Sequence, residues 1–157
     1  MRKLSFALLC AALLIAGCGY RGIKPEEQEK LGKQVSATMA EIITAAEKVD
    51  TSVLDKYLAD SPGVRFYLGG RSYGKKGFID AIGEYWAPYS SQKIQVMNPG
   101  TMVFSPEAAM WTAQTSSIAA AKEGQGKSFA HCETWIWQKV EGYWRVVHCD
   151  VNWPHPR

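Results

Sequence analysis

Apolar residues recur at helical steps early in the chain and alternate with polar ones late in it. Leu31, Val35, Met39, Ile42 and Ala46 are spaced by three and four residues, which predicts an amphipathic helix over Glu26–Lys48. Asp50 can cap a second, shorter helix reaching Leu58, with Val53, Leu54, Tyr57 and Leu58 available for burial. Ser61-Pro62-Gly63 stops it. Val64–Leu68 and Arg71–Tyr73 read as strands around a Gly69-Gly70 turn. A third helix begins near Gly74 and Gly77, buries Phe78, Ile79, Ile82 and Trp86, and ends at Pro88.

From there the pattern is β. Strands are expected at Lys93–Asn98, Thr101–Phe104, Ala108–Ala120, Lys127–Lys139 and Tyr143–Trp153. Asn98-Pro99-Gly100, Ser105-Pro106-Glu107, Gly124-Gln125-Gly126 and Glu141-Gly142 are the breaks. Helices followed by consecutive strands predict an α+β domain, with the helices covering one face of a bent sheet.

The stretch His131–Trp153 holds two of the three histidines, two of the four cysteines and four of the six tryptophans. With Trp137 placed opposite Trp144, Trp135 opposes Val146, Glu133 opposes His148 and His131 opposes Asp150. All eight then share one sheet face, apolar at one end and ionisable at the other. That register also sets Cys132 opposite Cys149, close enough for a cross-strand disulfide or for two free thiols. The second face, with Thr134, Ile136, Val147, Cys149, Val151 and Trp153, is fairly apolar too. Patterning alone leaves open which face is core and which is solvated or joins a second subunit.

The first residues change the picture of where the protein resides. Arg2 and Lys3 precede an uncharged apolar run, Leu4–Ala16, that is short for a membrane span and fits a secretory signal. Ile15-Ala16-Gly17-Cys18 resembles a bacterial lipobox, which implies cleavage before Cys18 and its lipidation. Several acyl chains anchor far better than one. Gly19 in place of aspartate favours the outer membrane over the inner, facing the periplasm. The expected organisation is a signal peptide at 1–17, a lipidated cysteine and tether at 18–26, one domain at 27–153 and a tail at 154–157.

Without Arg2 and Lys3, the 18 basic residues fall to 16 against 15 acidic. That near-balance argues against a nucleic-acid partner. No GK[ST] follows the glycines near 69–74, so there is no phosphate loop. His131, Glu133, His148 and Asp150 are adequate metal ligands chemically, but a flat sheet face rarely converges tetrahedrally. No metal or other cofactor is expected.

The chain resembles the SnoaL-like, nuclear transport factor 2-like superfamily, which includes ketosteroid isomerase-like proteins, over about Glu27–Asn152. The resemblance rests on Asp50, Leu54, Tyr57 and Leu58, on Gly74 and Gly77 with Phe78–Ile82, and on Thr134-Trp135-Ile136-Trp137, Glu141-Gly142-Tyr143-Trp144, Val146-Val147-His148 and Asp150. Glu133-Thr134 and the final turn are also similar to the association domain of calmodulin-dependent kinase. The resemblance implies a cone-shaped, cystatin-like roll: three helices on a curved, mostly antiparallel sheet around a pocket. It also implies that Glu133, Trp135, His148 and Asp150 face that pocket. Asp150 stands where the family usually has a second histidine, Asn152 where it has serine, and Trp135 where some members have an arginine. No ketosteroid isomerase catalytic motif carries over.

Three functions follow as expectations. The first is a lipid-tethered module binding a small, partly apolar ligand between Tyr67, Trp86, Trp135, Trp137 and Trp144. The second is an isomerase, dehydratase or hydrolase with Asp150 or Glu133 as base and His148 or His131 as its partner. The third is a homodimeric assembly module without a ligand, paired through the second face.

Overall fold

The computed structural model describes residues 22–152. Helix α1 spans Pro25–Glu47, α2 Ser52–Tyr57 and α3 Lys75–Trp86. The strands are β1 Arg65–Leu68, β2 Arg71–Tyr73, β3 Tyr89–Ser105, β4 Ala108–Ala121, β5 Lys127–Val140 and β6 Tyr143–Asn152. They form one mixed sheet in the order β2-β1-β6-β5-β4-β3, in which only β1 and β6 run parallel. This is the expected α+β arrangement of three helices on a mostly antiparallel sheet.

The periodic face of α1 is the buried one: Leu31, Val35, Met39, Ile42 and Ala46 are all buried, and the first four belong to the hydrophobic core. Polar contacts fix the helix to the sheet at both ends. Trp144 Nε1 donates to Gln34 Oε1 (3.2 Å), Gln92 Nε2 donates to Ala46 O (2.8 Å) and Ile94 N donates to Glu47 Oε1 (3.0 Å). The N-cap of α2 is Thr51, with no side-chain cap, and not Asp50; Asp50 lies one residue earlier, where its Oδ1 accepts the Ser52 N–H at 2.8 Å in a turn leading into the helix.

The two strands expected on either side of Asn98-Pro99-Gly100 are one strand, β3. The ladder slips between Met97 and Gly100, with Asn98 at φ 50°, and then resumes. A proline and a positive φ that read as a break are here a bulge, which bends the strand without ending it.

The last hairpin departs from the expected register, and its consequences are larger. Glu141 and Gly142 both have positive φ (53° and 82°), the signature of a two-residue hairpin turn. Such a turn places Val140 opposite Tyr143, so Trp144 faces Lys139 and not Trp137. A second slip follows, because Trp137 pairs with Val146 but Ile136 pairs with His148. Val147 is the extra residue. One inserted residue exchanges the faces of everything beyond it.

Hence Trp135 opposes Cys149 and Glu133 opposes Val151 on the inner face. Thr134 opposes Asp150 and Ile136 opposes His148 on the outer face. Of the two alternatives for the cysteines, the free thiols are found and the cross-strand disulfide is not: Cys132 lies across from Asn152, exposed, while Cys149 is buried in the core. Burial pushes the Cys149 thiol well above its ordinary range. Val151, expected on a subunit-pairing face, is buried against the helices. Trp153 and Cys18 lie outside the described residues.

Candidate functional site

The inner face of the sheet is set by alternation. On β4 it carries Ala109, Trp111, Ala113, Thr115, Ser117 and Ala119, all buried. On β5 the residues opposite are Trp137, Trp135, Glu133, His131, Phe129 and Lys127. Large apolar side chains fill one end against α1 and α2. Towards the other end Thr115 and Ser117 are too small to reach the helices. A partly enclosed cavity of about 90 Å³ remains there, under α1 and α3.

Its walls are apolar: Met39, Ile42 and Ala46 from α1, Phe78, Ile82 and Trp86 from α3, and Leu68, Trp135 and Val151 from the sheet. One corner is polar. Glu133 Oε1 accepts the Thr115 hydroxyl at 2.6 Å, and Glu133 Oε2 accepts the Trp135 indole N–H at 2.9 Å. His131 Nδ1 lies 3.4 Å from Thr115 Oγ1. Ser117 Oγ is buried with no hydrogen-bond partner among the described residues. A buried hydroxyl left unsatisfied is costly and requires a reason.

Of the residues singled out from the sequence, Glu133, His131, Trp135 and Trp86 line this cavity. The others lie elsewhere. Trp137 is fully buried beneath α2, edge-on to Tyr57 at 6.2 Å, and Trp144 is tied to Gln34 of α1. The Val147 bulge turns His148 and Asp150 outward, so neither faces Glu133. On that outer surface His148 packs against Tyr67 (ring centroids 5.5 Å), and Asp150 Oδ1 accepts from Asn152 Nδ2 at 2.7 Å. The four-residue ionisable row is thus divided between the two sheet faces.

Reasoning from sequence missed Thr115, Ser117 and Gln92. The available signal was two small hydroxyl residues at alternate positions in a strand otherwise facing the core with alanine and tryptophan. Among the described residues no cluster of His, Cys, Asp and Glu is arranged to hold a metal.

Burial lowers the His131 pKa below the ordinary 6.5, and the nearby Glu133 charge offsets only part of the shift. The folded state therefore resists a proton that the unfolded chain accepts. This costs nothing well above pH 6.5, appears as pH falls through the unfolded value, and is complete below the lower folded value. Stability measured by urea unfolding is expected to fall between pH 7 and 5.5, with a limiting slope of about 1.4 kcal/mol per pH unit for one site. His131→Asn should flatten that segment. An unchanged slope in the variant would place the titration elsewhere.

No protein-family model matches the sequence, and no curated protein matches it. The fold is similar to solved structures. A nuclear transport factor 2-like superfamily protein from Salmonella enterica serovar Typhimurium matches with a TM-score of 0.72 and 17% identity, over 82% of this chain and 94% of that one. A Caulobacter vibrioides protein with a cystatin-like fold matches at 0.64 and 14%, over 80% and 91%. The association domain of CaMKII from C. elegans matches at 0.66 and 13%, over 81% and 98%. At such identities the likeness is one of fold: the domain shares the α+β fold of these nuclear transport factor 2-like and cystatin-like structures.

Proposed function

We propose that this protein is a lipid-anchored component of the cell envelope that binds a small, partly apolar molecule in the cavity beneath α1 and α3. The observation that carries the binding reading is the cavity itself. It has apolar walls and one convergent polar corner, and Ser117 Oγ within it lacks a hydrogen-bond partner among the described residues. Apolar enclosure with a few placed polar groups is the common form of a small-ligand site. Acid–base catalysis is less well supported, because two of the four groups it would draw on, His148 and Asp150, face outward.

Anchoring is supported by the lipobox-like Ile15–Cys18 and the apolar run before it. No described helix is long and apolar enough to cross a membrane. Facing the periplasm at the outer membrane remains the favoured location, from Gly19.

A panel of small alcohols, amines, acids and monocyclic aromatics at millimolar concentration tests the cavity. At least one compound should raise the melting temperature of the full-length chain and leave Ser117→Leu, whose side chain fills the polar corner, unmoved. If no compound does so, the binding reading falls. Metabolic labelling with palmitate should mark the chain and fail on Cys18→Ser; equal labelling of both would remove the anchor.

A second copy of the chain is a further partner in this reading. Met102, Met110 and Ile136 form a cross-strand row on the outer face, and Met102 is 53% exposed. Sedimentation should show a dimer that Met102→Glu shifts towards monomer; identical behaviour of the two proteins would remove this face as the contact.

A further inference from the structure

We propose that the cavity selects a cation: a protonated amine with a compact apolar body, its ammonium group seated at Glu133. The inference rests on the ligand-binding reading above and adds the chemical class. It comes from counting what the polar corner offers. Glu133 accepts one hydrogen bond on each oxygen, from Thr115 and from Trp135, and each carboxylate oxygen can accept another. Thr115 spends its proton on Glu133, which leaves its oxygen lone pairs as acceptors. Ser117 Oγ is buried with no hydrogen-bond partner among the described residues, and its hydroxyl offers one donor and two acceptor lone pairs. The corner is therefore rich in acceptors, and the complement of several acceptors is a group with several donors. An ammonium has three N–H bonds and no lone pair, whereas an alcohol has one donor.

Charge points the same way. No lysine or arginine is among the residues lining the cavity. No ion pair of Glu133 with a basic side chain occurs among the described residues. Its two hydrogen-bond donors there are both neutral. The carboxylate thus has acceptor capacity and no basic side chain paired with it, and a cationic ligand supplies the missing counter-ion. Anions meet the opposite situation, one negative charge and nothing positive. Burial disfavours the charged form of His131, so the imidazole does not act as a fixed cation at neutral pH. Trp86, Trp135 and Tyr85 also line the space, and aromatic faces attract cations.

Size limits the apolar body. An engineered apolar cavity of about 150 Å³ holds benzene. About 90 Å³ suits a short branched chain better than a fused ring system.

Three ligands of nearly equal shape and different charge decide the matter: isobutylamine, isobutanol and isovalerate. Each is titrated against the full-length chain at pH 7.5, read by saturation-transfer NMR and by tryptophan fluorescence. Isobutylamine should bind about tenfold or more tighter than isobutanol, a difference of about 1.4 kcal/mol, and isovalerate should show no saturable binding. Glu133→Gln should erase the preference for the amine and keep the binding of isobutanol.

Equal or tighter binding of isobutanol or isovalerate overturns the cation assignment and leaves the cavity standing as a ligand site. An amine preference that survives in folded Glu133→Gln overturns it too. If none of the three saturates and the wider panel is also silent, both readings fall. The wild-type series decides the question even if the variant does not fold.

Discussion

Trp137→Ala is expected to lower the unfolding free energy by about 3–4 kcal/mol and the melting temperature by about 10–15 °C. Trp137 is fully buried, at the point where α2 meets β5, and Tyr57 packs on it edge to face. Truncating a buried tryptophan to alanine removes its transfer free energy and leaves a cavity, typically about 3–5 kcal/mol in all. The lower part of that range is expected here, because Trp137 Nε1 is buried without a hydrogen-bond partner among the described residues. The native state already bears the cost of that orphaned N–H, and the alanine variant is released from it. Trp137→Phe separates the two contributions. It keeps most of the apolar contact, removes the unpaired donor and should lose less than about 1.5 kcal/mol. Urea unfolding of the three proteins measures both differences. A loss below about 1 kcal/mol for Trp137→Ala would mean that the α2 end of the sheet collapses without cost, contrary to close packing there.

The periodic elements were legible in the sequence because burial on one side dictates them. The spacing Leu31–Val35–Met39–Ile42–Ala46 leaves only one orientation for α1, and all five residues are buried. The strands from Ala108 onward were equally plain, since turn residues delimit them. Two features of β6 were not legible together. The Glu141-Gly142 turn is two residues long, which pairs Val140 with Tyr143 and sets the register two positions from the one that places Trp137 opposite Trp144. A shift of two preserves faces, so by itself it leaves the inward row unchanged. The Val147 bulge is different. A single extra residue has no compositional mark when its neighbours are Val146 and His148, and it exchanges every face beyond it. This moves His148 and Asp150 outside, separates Cys132 from Cys149, and brings Cys149 and Val151 into the core. Glu133 and Trp135 stay inside because β5 continues unbroken against β4. The candidate site was thus half legible: its β5 half follows from alternation, and the β6 half assigned to it belongs to the other surface.

Glu133→Ala is expected to cost about 2 kcal/mol of stability, and Glu133→Gln less than about 1. Two effects oppose each other. Removing a half-buried carboxylate relieves its desolvation, which by itself stabilises the fold. Removing it also deprives the Thr115 hydroxyl and the Trp135 indole N–H of their acceptor. The Thr115 hydroxyl can rotate, and His131 Nδ1, 3.4 Å away, accepts its proton in the tautomer that carries hydrogen on Nε2. The indole cannot turn. Its ring is packed on the sheet at 5% exposure, so its N–H is left facing apolar walls. An orphaned buried donor costs about 1–3 kcal/mol, and a hydrogen bond to a charged group contributes about 1.5–3. Relief of desolvation is the smaller quantity because Glu133 is only half-buried. The glutamine amide oxygen can still accept from the indole, hence the smaller loss. Equilibrium unfolding in urea at pH 7.5 gives the sign directly. If Glu133→Ala proves more stable than the wild-type protein, the carboxylate is a burden that its two hydrogen bonds do not repay. Its retention would then have to be explained by what it binds, and not by what it holds in place.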